Sequence, residues 1–470
     1  MLATSPKAIS LRPYQRALIQ SIFEYWQQGD RCVMAQLPTG GGKTIIFGAI
    51  AQEFTRRDDA VLILAHREEL VMQARDKVGA IANAPVGIIK AGHQPNHSAP
   101  IQVASVQSLV RRMDAIEYPS LIVVDEAHHS TAGTYRRILE AYPNAYVLGV
   151  SATPTRLDGS GFDDIYESIV CGPTVKDLID GGHLSRFKLF ADPKPMTTKG
   201  VRKQQGDYST HDLADANDAI ELSGNLIASY RQHCPGKRCV VFAVNVEHSC
   251  TIAARYNAAG IPAKHLDGKT PDEERREALR QFERGELLVL TNCALFDEGL
   301  DICSIEAIQC AKPTASLVRW LQMVGRALRP APGKDHAIIL DHTKNWALHG
   351  LPTRPRTWTL EGVQIEEKQI QVNPEGEVRE LDAPAVEVAI AEGADNALEE
   401  IGLTENQEWI LALNDLLATQ KQRRYKPAWV YHQLALMKPP LSIWATYGRL
   451  RGYKPGWAWH RYQEQQESTA

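Results

Sequence analysis

No stretch of the sequence approaches the ~18 consecutive apolar residues that a helix needs to span a bilayer. The opening Met-Leu-Ala-Thr-Ser-Pro-Lys lacks the apolar core of a secretory signal. Membrane and exported classes are therefore set aside, and a cytoplasmic protein is expected. None of the eight cysteines falls into a Cys-x-x-Cys pair. Cys234 and Cys239 have zinc-compatible spacing but no second pair to complete a site, so packed, reduced thiols are expected rather than a metal centre. A strong charge of either sign is also missing. The 52 Lys and Arg against 56 Asp and Glu leave a formal −4, so any surface for a polyanion is local.

What is present is an ordinary globular composition, 44% hydrophobic and 23% charged, over 470 residues. At ~150 residues per domain that length suggests two to four domains. Between residues 30 and 155 short apolar runs (32–35, 61–65, 101–104, 121–124, 146–150) alternate with longer helical patterns. Runs that are apolar throughout suit strands covered on both faces, the mark of a parallel α/β sheet. The rhythm returns at 239–243, 287–290, 307–310 and 337–340, which predicts a second such domain. The expected division is 1–160 and 226–345 for the two α/β domains, with 161–225 as a connector. An acidic connector at 346–405 and a basic, aromatic-rich helical module at 406–470 complete it. Residues 361–400 hold twelve acidic residues against Lys368 and Arg379; residues 421–461 hold nine Lys or Arg and no acid.

Leu37-Pro38-Thr39-Gly40-Gly41-Gly42-Lys43-Thr44 comes after an apolar strand and opens a helical stretch expected at 45–54. Glycines let backbone N–H groups curl around phosphate oxygens, and the helix N-terminus adds its positive dipole end. Lys43 is placed to reach the outer phosphates and the Thr44 hydroxyl to bind Mg²⁺. The strict phosphate-loop pattern has glycine where this chain has Leu37, and a bare Gly-rich turn is the plain alternative. A carboxylate pair at the end of another buried strand, Asp125-Glu126 in Leu-Ile-Val-Val-Asp-Glu-Ala-His, argues against it. Ligands in parallel sheets sit beyond the carboxyl ends of strands, so the two motifs converge on one crevice. Asp125 suits Mg²⁺, and Glu126 suits activation of an attacking water.

With these motifs in hand, the chain resembles superfamily 2 helicases and translocases of the DEAD/DEAH-box type over residues 11–342. The resemblance implies two tandem RecA-like domains that use ATP and Mg²⁺. Leu11-Arg12-Pro13-Tyr14-Gln15 looks like the adenine-reading segment, with Arg12 and Gln15 as its contacts, and the phosphate loop as written, Leu37 included, is a common family form. His66 and Arg67, and Ser105 and Gln107, lie in segments similar to those that track a nucleic-acid strand. Ser151-Ala152-Thr153 resembles the element that couples hydrolysis to domain movement through His128. In Thr291-Asn-Cys-Ala-Leu-Phe-Asp-Glu-Gly299-Leu-Asp301 the family implies that Thr291 contacts the polynucleotide backbone while Gly299 and Asp301 face the nucleotide. Gln322-Met-Val-Gly325-Arg326-Ala-Leu-Arg329 supplies two arginines expected on one helical face, finger candidates that reach across the cleft, with Gln322 helping to place water. Glu126, Gln322, Arg326 and Arg329 make the expected catalytic set.

Within the family, the start Leu-Arg-Pro-Tyr-Gln and the ending at 452–462 look closest to bacterial RadD-type repair ATPases and related phage helicases. Many of those carry a cysteine-rich zinc ribbon, which this chain lacks. For 421–461 two readings stand open. Trp429, Trp444, Trp457 and Trp459 either fill a small core or stack on bases, while the basic excess favours an acidic partner such as DNA. The resulting expectation is an ATP-dependent motor on single-stranded, forked or branched DNA in repair or recombination, with RNA left open. It would be prokaryotic or phage-encoded and nucleoid-associated, with repair, recombination or nuclease partner proteins. The rivals are the motor of a restriction or defence system with a separate nuclease, and an ATP-gated clamp. Glu366-Glu367-Lys368 is too isolated to supply that nuclease.

Overall fold

The computed structural model describes residues 10–362 except 66–67, 131–132, 157–158, 192–195, 205, 217–218, 294–303 and 355. Beyond 362 it describes 369–372, 378–381, 399–400, 413, 416–417, 419–420, 428–437, 443–444, 447 and 461. The chain divides into one unit of Met1–Gln364 with Gly393–Glu399 and a second of Ile365–Glu392 with Glu400–Ala470. Among the described residues no helix is long and apolar enough to cross a membrane.

The first unit holds two parallel sheets. The strands of the first are β1 (Cys32–Gln36), β2 (Val61–Ala65), β3 (Val86–Ile89), β4 (Ile101–Ser105), β5 (Leu121–Asp125), β6 (Tyr146–Ser151) and β7 (Ser168–Cys171). They run in the order β3-β4-β2-β5-β6-β1-β7, every pairing parallel. β2, β4 and β5 are buried along their whole length because helices cover both faces, which is why the sequence shows unbroken apolar runs there. The central order β5-β6-β1 sets the carboxyl ends of three strands side by side: the carboxylate pair, the Ser151 turn and the phosphate loop.

The second sheet is built from β8 (Arg186–Ala191), β11 (Cys239–Ala243), β12 (Ala263–His265), β13 (Val289–Asn292), β14 (Ala307–Ala311) and β15 (His336–Asp341). A small antiparallel hairpin, β9 (Lys203–Gln204) with β10 (Asp207–Tyr208), precedes β11. The sheet order is β12-β13-β11-β14-β15-β8. Its named pairings through β8 are parallel as well.

Two expected boundaries are corrected. Residues 161–225 are no plain connector, since β7 pairs with β1 in the first sheet and β8 with β15 in the second. Arg186-Phe-Lys-Leu-Phe-Ala alternates polar and apolar residues over most of its length, so it carries no uninterrupted apolar signal. The acidic connector does not begin at 346. Helix Asn345–His349 and the segment through Gly362 belong to the first unit. The Trp320 indole donates to Gly350 O in this stretch (3.0 Å), and Leu360 O accepts from the Phe162 and Asp163 amides at 2.6 and 3.1 Å. This strap leaves the second lobe and returns to the first.

In the second unit, Leu413, Val430, Leu434, Ile443, Trp444 and Tyr447 form a buried cluster around helix Ala428–Met437. Arg461 donates to the Tyr431 hydroxyl at 3.3 Å. Trp444 is therefore a core residue. The side chain of Trp429, and Trp457 and Trp459, lie outside the described residues, as does Glu366-Glu367-Lys368.

Candidate nucleotide site between two lobes

The phosphate loop turns through Gly40 (φ 86°) and Gly42 (φ 94°), backbone conformations that side chains rarely adopt. A Cβ at Gly42 would lie 2.6 Å from Gln15 Nε2, and one at Gly40 would lie 2.7 Å from Leu184 Cδ2. Helix Lys43–Thr55 starts directly after Gly42, ahead of the expected start at 45, so Lys43 and Thr44 occupy its first turn. The helix is thus aimed N-terminus first at the space the glycines enclose.

Across that space Lys43 Nζ donates to Glu126 Oε1 at 2.9 Å, with both side chains largely buried. Glu126 itself sits at φ 50°, a left-handed conformation that swings its carboxylate off the end of β5. Asp125 Oδ1 accepts from the Glu126 amide at 3.0 Å. Burial, reinforced by the neighbouring Glu126 charge and opposed by Lys43, pushes the Asp125 carboxyl up to about 6. His128 is buried with Nδ1 3.5 Å from Glu126 Oε2. It meets the catalytic carboxylate candidate directly. Ser151 Oγ accepts from the Thr153 amide at 3.1 Å, and Gln36 Nε2 donates to Ala152 O, so this turn is fastened to the strand that feeds the phosphate loop. Among the described residues, the buried Thr153 hydroxyl has no hydrogen-bond partner.

Gln15 is engaged at both ends: its Oε1 accepts from the Arg12 amide (3.0 Å) and its Nε2 donates to Gly41 O (3.3 Å). Both ends of the amide are thereby engaged, so in this conformation Gln15 holds the phosphate loop rather than presenting a free edge to adenine. Tyr14, singled out only as part of the Leu-Arg-Pro-Tyr-Gln string, donates its hydroxyl to the same Gly41 carbonyl at 2.8 Å, while Arg12 donates to the Tyr14 oxygen. The Tyr14 ring packs on His183 at 5.3 Å between centroids.

From the second sheet, helix Leu317–Ala327 meets the same loop. A Cβ at Gly325 would lie 2.5 Å from Thr39 Cβ, so only glycine permits this approach, and Arg329 Cγ is 3.6 Å from the Cβ position of Gly40. Gln322 and Arg326 are buried, and among the described residues Gln322 Oε1 has no hydrogen-bond partner. The helix ends at Ala327, which corrects the expectation that Arg326 and Arg329 share a helical face. Arg329 is delivered by the turn beyond the helix. Thr39, Thr153, Gly325, Leu328, Arg354 and Trp358 line a cleft of about 290 Å³ on this seam.

Of the strand-tracking candidates, Gln107 is exposed while Ser105 and Thr291 are buried. Ser105 Oγ donates to Gln107 Oε1 at 3.0 Å at the start of helix Val106–Leu109. Thr291 is fully buried, and its hydroxyl donates to Ser249 O at 2.8 Å. The expectation that Thr291 grips a polynucleotide is not met in this conformation, because packing of β13 against helix Val246–Ala258 covers it. His66, Arg67, Gly299 and Asp301 lie outside the described residues.

Gly-rich cradle, helix N-terminus, lysine and buried carboxylates together form a donor set suited to a Mg²⁺-bound nucleoside triphosphate. The cradle itself has no room for a Cβ. Residues 8–156 match the family model described as type III restriction enzyme, res subunit, and residues 220–331 match the helicase conserved C-terminal domain. A 51.5 kDa protein of a Lactococcus phage is 34% identical over 69% of this chain and 68% of its own length. A protein of Saccharomyces cerevisiae named for an ATP-dependent helicase, IRC3, is 30% identical over 70% of this chain. The match spans only 51% of that relative. Among solved structures, an ATP-dependent type ISP restriction-modification enzyme, LlaBIII, bound to DNA superposes with TM-score 0.53 at 16% identity, over 71% of this chain and 28% of that one. With two parallel-sheet lobes meeting at one phosphate loop, and with these matches on both, the chain belongs to the superfamily 2 helicases.

Proposed function

We propose that this chain is an ATP-driven motor that moves along or remodels DNA, in repair or recombination. The observation that carries the reading is the seat of Gly325 on Thr39 and of Arg329 beside Gly40. One phosphate loop is shared by two sheets, so what the loop holds decides how the lobes clasp.

The residues divide the work between them. Arriving phosphates compete for Lys43, which leaves Glu126; the freed carboxylate can accept a proton from an attacking water, with His128 Nδ1 3.5 Å from its other oxygen. Thr44 and Asp125 would hold Mg²⁺, which would supply charge neutralisation at the phosphates. Arg329 and Arg326 contribute positive charge from the second lobe, and Gln322, whose carbonyl oxygen is unsatisfied, orients water. Because the arginines belong to the other lobe, turnover is slow until a polynucleotide sets the lobes. Loss of the outer phosphate weakens the grip on the arginines and lets the lobes part. Repeated closing and parting moves the chain along a backbone.

Similarity to restriction motors favours a second reading, in which the same motor serves a separate nuclease. An ATPase assay of the full chain with single-stranded DNA, duplex, forks and RNA tests the proposal. DNA stimulation that Arg329→Ala abolishes supports it. Equal, nucleic-acid-independent turnover in both proteins overturns it, and ATP-dependent DNA retention without turnover identifies a clamp instead.

A further inference from the structure

The geometry points to Lys334 as the positioning residue that sets Arg329 against the phosphate loop. This inference rests on the proposed function, in which Arg329 is the arginine that crosses the cleft.

A helix leaves its last carbonyls without intrahelical donors, and its C-terminal end carries partial negative charge. Helix Leu317–Ala327 ends just short of Arg329, so something other than the helix ladder must fix the backbone of that arginine. Lys334, seven residues beyond the helix end, returns to that point. Its ammonium donates to Ala327 O, to Arg329 O at 2.8 Å and to Ile305 O at 2.7 Å. A lysine ammonium has three donors, enough to serve all three carbonyls. One of the three belongs to Arg329 itself. Ser185 supports the same turn: its amide donates to Leu328 O at 2.8 Å and its hydroxyl to Arg329 O at 3.3 Å. Next to Ser185 in the chain is Leu184, the side chain that faces Gly40. The backbone of the arginine and the rim of the phosphate loop are therefore held by adjoining residues.

The opposite end of the helix shows the complementary device. The buried Asp207 carboxylate accepts from the Ala315 amide at 2.6 Å, from Thr314 Oγ1 at 2.9 Å and from Arg319 at 2.8 Å. An anion at the N-terminal end and a cation at the C-terminal end both match the helix dipole. Only the cation touches the turn that carries Arg329.

The test uses the full chain, ATP and a single-stranded oligothymidylate, with Lys334→Met, Arg329→Ala and the double variant. Lys334→Met should lower stimulated kcat roughly 10²-fold, the order expected when a transition-state group is misplaced by about an ångström, and leave KM for ATP unchanged. In the Arg329→Ala background the same substitution should cost nothing further, because the residue it positions is gone. Lys334→Arg, which keeps the donors, should restore part of the loss. Full kcat in Lys334→Met, a loss that saturating ATP removes, or equal losses in both backgrounds would each overturn the inference. If Lys334→Met does not fold, Ser185→Ala removes one donor to the same carbonyl. It should show a smaller kcat loss with the same dependence on Arg329, and additivity there would overturn the inference. Wild-type kcat in Arg329→Ala sinks the proposed function instead, whatever Lys334→Met does.

Discussion

The helix after the phosphate loop and the helix before Arg329 face the same space with opposite ends. Helix Lys43–Thr55 presents its N-terminus, so backbone N–H groups and dipole both favour an anion before any side chain is counted. Helix Leu317–Ala327 presents the neighbourhood of its C-terminus, which repels an anion, and the chain answers with Arg326, Arg329 and Lys334. In the motor proposed above, the first lobe binds by backbone and the second by side chain. The first is therefore suited to hold a triphosphate throughout a cycle. The second holds only when cations are in register, and that makes it the part able to let go.

The largest effect that tests this contrast is loss of Arg329. Arg329→Ala should lower DNA-stimulated turnover by about 10³- to 10⁵-fold with ATP binding nearly intact, measured as kcat and as ATP Kd side by side. A parallel loss of binding would mean that the second lobe also holds the ground state, and the contrast would fail. Next comes Glu126→Gln, which keeps the shape and a donor–acceptor contact near Lys43 while removing the base. A kcat loss of roughly 10²- to 10⁴-fold is expected, again without weaker ATP binding. Tighter ATP binding would sharpen the picture, since Lys43 would no longer be held at 2.9 Å by a carboxylate charge.

A smaller, steric prediction bears on the seam itself. Gly325→Ala places a methyl 2.5 Å from Thr39 Cβ, so the helix must retreat. Overpacking of this kind costs about 1–3 kcal/mol, read as a lower Tm. The companion variant Thr39→Ser removes the neighbouring methyl that also crowds the position and should recover part of the turnover. Turnover unchanged in Gly325→Ala would show that close seating of the two lobes is not needed.

Much of this arrangement can be read from residue order, and the exceptions share a cause. Buried central strands announce themselves because both faces are covered, as at 61–65 and 239–243. β8 hides because it alternates, and its membership in the second sheet depends on β15, about 150 residues later. The phosphate loop, the carboxylate pair and the Gln322–Arg329 series are legible because their chemistry is local in sequence. The dual engagement of Gln15, the burial of Thr291 and the strap to Phe162 are not, since each depends on a partner far along the chain. The helix end at Ala327 escapes for another reason: spacing alone extends a helical face past the residue at which a turn begins.

The smallest expected effect is on pH. The Asp125 carboxyl is raised from its ordinary range to about 6 by burial and by Glu126. A folded-state value above the unfolded one means that the native protein binds the extra proton, so ionisation costs stability as pH rises from about 4 to about 6. Asp125→Asn should therefore raise the Tm of the ligand-free protein above pH 6 and leave it almost unchanged near pH 4. Mg²⁺ needs the ionised form, so in the wild type the Mg²⁺ concentration for half-maximal turnover should climb as pH falls through about 6. A Mg²⁺ requirement that is flat from pH 5 to 8 would place the cation elsewhere. It would also remove the first lobe's claim to hold the triphosphate by preformed chemistry, because a buried carboxylate kept at the expense of stability is what that chemistry predicts.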